Sequence, residues 1–124
     1  MKVIIAEDDP RLLQLYEDFG LKKLKGVEVK MTKTGEETLS CINKNSPDIL
    51  LLDIFLPDKN GLEILEQLKK EKKTEKIKIF ICTNFSDDQS RKRALELGAK
   101  GYIIKSNISY ETMKHLIEKG EMKE

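Results

Sequence analysis

The amino-acid sequence predicts a doubly wound α/β domain: a buried parallel sheet of five strands, with helices on both faces. Three observations carry this. Short solid apolar runs alternate five times with longer amphipathic stretches, which is the layout of βα units in one sheet. The runs are apolar at consecutive residues, as strands covered on both faces are. Recognisable helix starts separate them.

The first run, Lys2–Ala6, leads into Glu7-Asp8-Asp9-Pro10. Asp9 suits a helix N-cap, and Pro10 suits the first turn, where its missing N–H is no loss. Leu12, Tyr16 and Phe19 then share a face. The second run, Val27–Met31, is followed by Thr34 with Glu37 three residues on, the spacing of a capping box, and by a stripe of Thr38, Leu39 and Ile42. The third, Asp48–Leu52, precedes a helix opened by Asn60 with Glu63 and striped by Leu62, Leu65 and Leu68. The fourth, Ile77–Cys82, precedes one opened by Ser86 with Gln89, carrying Ala94 and Leu97 and stopped by Gly98. The fifth, Lys100–Ile104, precedes a last helix that begins near Ser109 and buries Met113, Leu116 and Ile117.

A chain of 124 residues is one domain and can bury a core without disulfides or a structural metal. Lys and Arg number 23 against 22 Asp and Glu, a net charge of +1, which disfavours nucleic-acid or anionic-membrane binding driven by bulk charge. The charged fraction of 36%, against about 25% in ordinary proteins, implies a heavily charged surface. Apolar runs are far shorter than the roughly 18 residues of a membrane span. Four apolar residues between Lys2 and Glu7 are too few for a signal peptide, so a cytoplasmic protein is expected. Cys41 and Cys82 have no Cys or His nearby to complete a metal site, and are expected to be buried free thiols.

Right-handed crossovers bring the carboxyl ends of parallel strands to one edge of the sheet, where ligands bind. The residues that follow the strands are Glu7, Asp8 and Asp9, then Asp53, then Thr83 and Asn84, then Lys105 and Ser106. Each alone is an ordinary loop residue. Together they are carboxylates that would repel without a cation, a hydroxyl and an ammonium. An all-oxygen, partly hydrated site suits Mg²⁺. These are parts used in phosphoryl transfer, and a carboxylate such as Asp53 can act as the nucleophile.

Three strings then become specific: Ile4-Ile5-Ala6-Glu7-Asp8-Asp9-Pro10, Pro47 through Gly61 with Asp53 at its centre, and Gly98-Ala99-Lys100-Gly101-Tyr102-Ile103-Ile104-Lys105. With Thr83 between the second and third, the chain resembles the receiver domains of two-component response regulators from Lys2 to about Lys119, so residues 1–124 are expected to be one receiver domain. The resemblance implies a flavodoxin-like strand order, 2-1-3-4-5. It implies Asp53 as phosphoacceptor, Asp8 as direct Mg²⁺ ligand, Glu7 as an acid holding the metal through water, and Phe55 as donor of a backbone carbonyl. Lys105 matches the lysine that pairs with the acceptor, Thr83 the switch hydroxyl and Tyr102 the aromatic that turns inward behind it. Phe55 and Phe85 match positions at the mouth of the site, where hydrolytic water approaches. The phosphodonor implied is a sensor histidine kinase or a histidine phosphotransfer protein. The output implied is a changed surface of the fourth helix, fifth strand and fifth helix, controlling a downstream protein without direct nucleic-acid contact or membrane insertion.

The sequence departs from the family pattern at Ser106, where proline is common, and at Asn84, where a small residue is common. A cis bond before Ser106 is not expected, since it costs about 2.5–4 kcal/mol without proline. No output domain is expected within these residues. Asp9 is expected to be a helix cap only, Asp58 a turn residue, His115 a surface histidine and Lys69–Lys73 a solvated run. Arg91-Lys92-Arg93 lies on the expected output face. Thr32–Glu37 is similar to a flavodoxin phosphate loop but follows the second strand, beside acids that repel phosphate. A haloacid-dehalogenase-like Mg²⁺ phosphohydrolase needs an aspartate two residues after the nucleophile, and Phe55 stands there. A pseudo-receiver that binds partners without phosphorylation is the remaining alternative, and the intact set Glu7, Asp8, Asp53, Thr83 and Lys105 speaks against it.

Overall fold

Alternate residues of a strand face opposite sides of a sheet, and here both sets are apolar. Val3 and Ile5 with Ile49, Leu51 and Phe80 form one core, and Ile4 and Ala6 with Leu50, Leu52, Ile79 and Ile81 form the other. The computed structural model describes residues 1–85 and 87–122. The strands are β1 (Lys2–Ala6), β2 (Glu28–Thr32), β3 (Ile49–Leu52), β4 (Lys78–Thr83) and β5 (Gly101–Ile104). The helices are α1 (Pro10–Phe19), α2 (Gly35–Asn45), α3 (Gly61–Lys70), α4 (Asp88–Glu96) and α5 (Tyr110–Lys119). All neighbouring strands are parallel, in the order β2-β1-β3-β4-β5.

Leu12 and Tyr16 of α1 and Met113, Leu116 and Ile117 of α5 cover the first core. Ile42 of α2, Ile64, Leu65 and Leu68 of α3, and Ala94 of α4 cover the second. The register places the site. Ala6 pairs with Leu52, so Glu7 and Asp53 leave the sheet side by side. Thr83 pairs with Ile104, which sets Lys105 one residue beyond.

The strands differ from the apolar runs by a residue because hydrogen bonds, not apolarity, end a strand. β2 runs on to Thr32, whose carbonyl accepts the Glu7 N–H at 2.9 Å, and β4 runs on to Thr83. Asp9 caps α1 as expected, accepting the Arg11 N–H at 2.9 Å. Thr34 accepts the Glu37 N–H at 3.0 Å, but the Glu37 carboxylate returns to Lys33 instead of Thr34. Asn60 caps α3 through the Leu62 N–H. The reciprocal box belongs to α5, between Ser109 and Thr112. Ser86 lies outside the described residues, and Asp87 caps α4, accepting from the Gln89 N–H and the Ser90 hydroxyl. Cys82 is buried, whereas Cys41 is only half-buried and its sulfur accepts from Asn45. His115 is half-buried too, with its Nε2 3.7 Å from Glu121. Among the described residues no helix is long and apolar enough to cross a membrane.

Candidate functional site

The connection from β1 turns toward β2 and the connection from β2 turns back toward β3, so strand order reverses at β1. A crevice opens at such a point beyond the carboxyl ends of the strands. Glu7 and Asp53 flank it, 2% and 4% exposed. Lys105, in a single helical turn after β5, puts its ammonium 2.7 Å from Glu7 Oε1 and 2.7 Å from Asp53 Oδ2. The other oxygens are held by backbone: Glu7 Oε2 accepts the Asp9 N–H at 3.0 Å and Asp53 Oδ1 the Phe55 N–H at 3.2 Å. Asp8 is exposed, and one oxygen each of Glu7, Asp8 and Asp53 lie within 4.8 Å of one another.

Three carboxylates against one ammonium leave an excess of negative charge. Burial pushes the Glu7 carboxyl above its usual range, against the lowering pull of Lys105 and the Asp9 amide. Burial also works to lower Lys105, but its bonds to Asp53 and Glu7 prevail and hold it above its usual value. The donors are hard oxygens, as a small divalent cation requires. Mg²⁺ keeps several of its waters and takes few protein oxygens directly, so an acid cluster of this size suits it with some carboxylates bound directly and others through water.

Beside the acids, Thr83 is buried and its Oγ1 accepts the Phe85 N–H at 3.3 Å. The Phe85 carbonyl accepts the Tyr102 hydroxyl at 2.6 Å, and Tyr102 is turned inward and buried. One residue, Phe85, therefore links the two through its backbone. Its ring meets that of Phe55 edge to face, centroids 5.5 Å apart, and both rings are exposed. Below the site the Tyr16 hydroxyl lies 3.9 Å from the Cys82 sulfur. Burial pushes the Cys82 thiol up to about 12, so it is an inert core thiol.

A family model for the response regulator receiver domain matches residues 3–118. The chain belongs to the response regulator receiver family. It is 32% identical over 119 residues to the probable C4-dicarboxylate response regulator DctR of Bacillus subtilis (strain 168), covering 95% of this chain and 51% of that protein. It is 33% identical over 122 residues to the transcriptional regulatory protein YdfI of the same organism, covering 94% and 53%. The chain thus spans about half the length of these curated relatives. Among solved structures, the CheY-like response regulator receiver domain protein of Methanospirillum hungatei JF-1 superposes with a TM-score of 0.82 at 27% identity, covering 96% of this chain and 91% of that one. The BeF3-activated N-terminal receiver domain of Klebsiella pneumoniae RstA gives 0.78 at 28%, covering 94% and 95%.

Every residue that the sequence singled out at the strand ends of this receiver reaches one edge of the sheet. Asp9 points its carboxylate into its own helix start. Sequence reasoning missed Asp58. Its carboxylate accepts the Gly35 and Glu36 N–H groups that open α2, a pairing between residues far apart in the chain with no local signal. The same contact explains why Thr32–Glu37 is no phosphate loop, since those amides already face an acid of this chain.

Proposed function

We propose that this receiver accepts a phosphoryl group on Asp53 from the phosphohistidine of a sensor kinase or a histidine phosphotransfer protein, and signals through the α4–β5–α5 surface. The observation that carries the reading is a buried Asp53 carboxylate held between the Lys105 ammonium and two further acids. An Asp53 oxygen attacks phosphorus, the phosphorus–nitrogen bond breaks, and the electron pair leaves with the imidazole. Lys105 is in reach to follow the charge from the carboxylate to the phosphoryl oxygens, and its retained proton suits that role.

Asp8, Asp53 and the Phe55 carbonyl are the groups that would hold Mg²⁺ directly, with Glu7 through water. The ion would neutralise the acids and the transferring oxygens. The module signals and is not an enzyme with turnover on a separate substrate. Placed next to the acceptor, the Thr83 hydroxyl can turn toward a phosphoryl oxygen. That motion gives up the Phe85 N–H, and the Phe85 carbonyl holds Tyr102. A shift in one packing then biases the other. Arg91 and Tyr102 with Ile104, Met113 and Leu116 line a groove of about 280 Å³ on that surface, where a downstream protein would read the change.

The test is incubation with a small phosphodonor and Mg²⁺, followed by mass spectrometry. Wild type gains one phosphoryl group and Asp53→Asn gains none. Thr83→Ala keeps the adduct and loses the amide shifts that wild type shows on the α4–β5–α5 surface. A stoichiometric Mg²⁺-dependent adduct on Asp53→Asn overturns the assignment.

A further inference from the structure

Asp58 stands in a loop that its sequence explains as a turn, yet its carboxylate serves another element. Oδ1 accepts the Gly35 N–H at 2.6 Å and Oδ2 the Glu36 N–H at 3.0 Å. These are donors that an α-helix leaves open at its first turn, where the helix dipole also favours an anion. The Gly35 amide first, and the Glu36 amide next, hold the Asp58 carboxyl below its usual range. The stem of Lys59 packs beside them. A Cβ at Gly35 would come within 2.8 Å of the Lys59 Cβ, so the loop lies flat against α2 only because residue 35 is glycine.

That loop runs from Asp53 to the start of α3. At its base the Phe55 N–H donates to Asp53 Oδ1, the Gly61 N–H donates to the Ile54 carbonyl at 2.7 Å, and Phe55 pairs with Asn60 in an antiparallel bridge. A Cβ at Gly61 would collide with the Asp53 carbonyl oxygen, which keeps the base closed. Its outer part is different: Pro57, Asp58, Lys59 and Asn60 are exposed. Ile54 and Leu56 anchor the base in the core, while the Phe55 ring between them is 57% exposed. The Asp58 carboxylate ties the outer part of the loop to a packed helix.

We infer that Asp58 is a positioning residue for the divalent-cation site: by docking the β3–α3 loop on the N-terminus of α2, it fixes the peptide that presents the Phe55 carbonyl beside Asp53. This rests on the reading that Asp8, Asp53 and the Phe55 carbonyl hold Mg²⁺. Loss of a support behind a metal ligand lowers affinity by about 10–100-fold. Asp58 acts through several bonds of the loop, which puts its removal at the lower end.

The experiment is a titration of wild type, Asp58→Ala, Asp58→Asn and Thr34→Ala with Mg²⁺ alone, followed through amide shifts of the Asp53–Gly61 loop. Thr34→Ala is the control, since it removes the cap of the same helix, the 3.0 Å bond from the Glu37 N–H, without touching the loop. The dissociation constant for Mg²⁺ should rise about tenfold in Asp58→Ala. It should rise less in Asp58→Asn, which keeps one acceptor oxygen, and stay at the wild-type value in Thr34→Ala. If Asp58→Ala fails to fold, the comparison of Asp58→Asn with Thr34→Ala decides. Wild-type affinity in the folded Asp58 variants, or an equal loss in Thr34→Ala, overturns the proposal and leaves the acid cluster as the Mg²⁺ site. A wild type that binds no Mg²⁺ overturns both.

Discussion

The two edges of the sheet hold similar residue types in opposite ways. At the amino edge a groove of about 610 Å³ is lined by Asn43, Ser46, Asp48, Glu71 and Lys73, among others. Its charges are solvated. Lys73 and Glu71 are 31% and 40% exposed in their ion pair, and exposed Asp48 accepts the Lys2 N–H. At the carboxyl edge the groove beside Lys105 and Asn84 is smaller, about 350 Å³. There the ion pairs are taken out of water, with side chains of Lys105, Glu7 and Asp53 at 13%, 2% and 5% exposure. Removing a charge from water costs several kcal/mol per ion, while an exposed pair contributes about 0–1 kcal/mol. The proposed chemistry falls where acids are buried in excess of their counter-charge, at the smaller of these two grooves.

The sharpest way to break this comparison is to remove one acid from each edge. Asp8→Ala should abolish Mg²⁺-dependent phosphorylation and raise the melting temperature in the absence of Mg²⁺, because it relieves repulsion within the cluster. Asp48→Ala should leave phosphorylation at the wild-type rate. A phosphodonor assay and thermal unfolding of both variants check this, and equal behaviour of the two would erase the distinction between the edges.

A second contrast is energetic. Lys105→Met leaves Glu7 and Asp53 facing each other without their ammonium, and breaking a buried pair from one side costs about 3–5 kcal/mol. Added Mg²⁺ should restore part of that loss, since it supplies the missing positive charge. Lys73→Met at the amino edge should cost no more than about 1 kcal/mol, with no Mg²⁺ effect. Urea unfolding with and without Mg²⁺ measures both.

The burial of acids at the carboxyl edge should also be felt in the pH dependence of stability. Burial raises the folded value for Glu7 above the ordinary 4.5, so between the two values the folded state binds the extra proton. Stability from this group is therefore lost as pH rises through that window. Glu7→Gln cannot titrate, so wild type should lose stability relative to the variant as pH rises from 4.5 through the folded value. Lys105 does not blur the result, because its value is raised above 10.5 and its contribution is constant there. A stability difference that is flat across the window would show that Glu7 is not desolvated.

What was legible in the sequence follows the same division. The strand-end residues could be placed because a solid apolar run marks where a strand stops, and parallel topology gathers those stops on one edge. That reasoning found Glu7, Asp53, Thr83 and Lys105. It missed contacts that depend on the path of a loop. Asp58 meets α2 across 22 or 23 residues of chain, and no periodicity encodes that meeting. The Phe85 carbonyl that accepts from Tyr102 is backbone, and residue type says nothing of its direction. Cys41 lies in an amphipathic helix whose buried residues are Gly35, Thr38 and Ile42, and its own position falls at the margin of that face.

The smallest effect expected is also confined to the carboxyl edge. Phe55 and Phe85 are 57% and 43% exposed, in edge contact with centroids 5.5 Å apart, an arrangement worth about 0.5–1.5 kcal/mol beyond burial. Held together, the two rings form an apolar rim on the loops that follow Asp53 and Thr83 and give an approaching water no hydrogen bond, whereas a carboxamide or carboxylate there would orient it. Their contact also joins the loop after Asp53 to the loop after Thr83, so loosening one ring loosens the cover as a whole. The aspartyl phosphate should therefore be long-lived, and Phe55→Asn or Phe85→Glu should each speed its loss. A tenfold change corresponds to about 1.4 kcal/mol in the hydrolysis barrier. If the rim acts as a unit, the double variant should decay faster than either single variant but by less than the product of their effects, because each single substitution already opens the pair. Phosphoryl decay followed in all four proteins separates these outcomes. Equal rates would mean that water reaches the phosphoryl group by a path the rings do not cover.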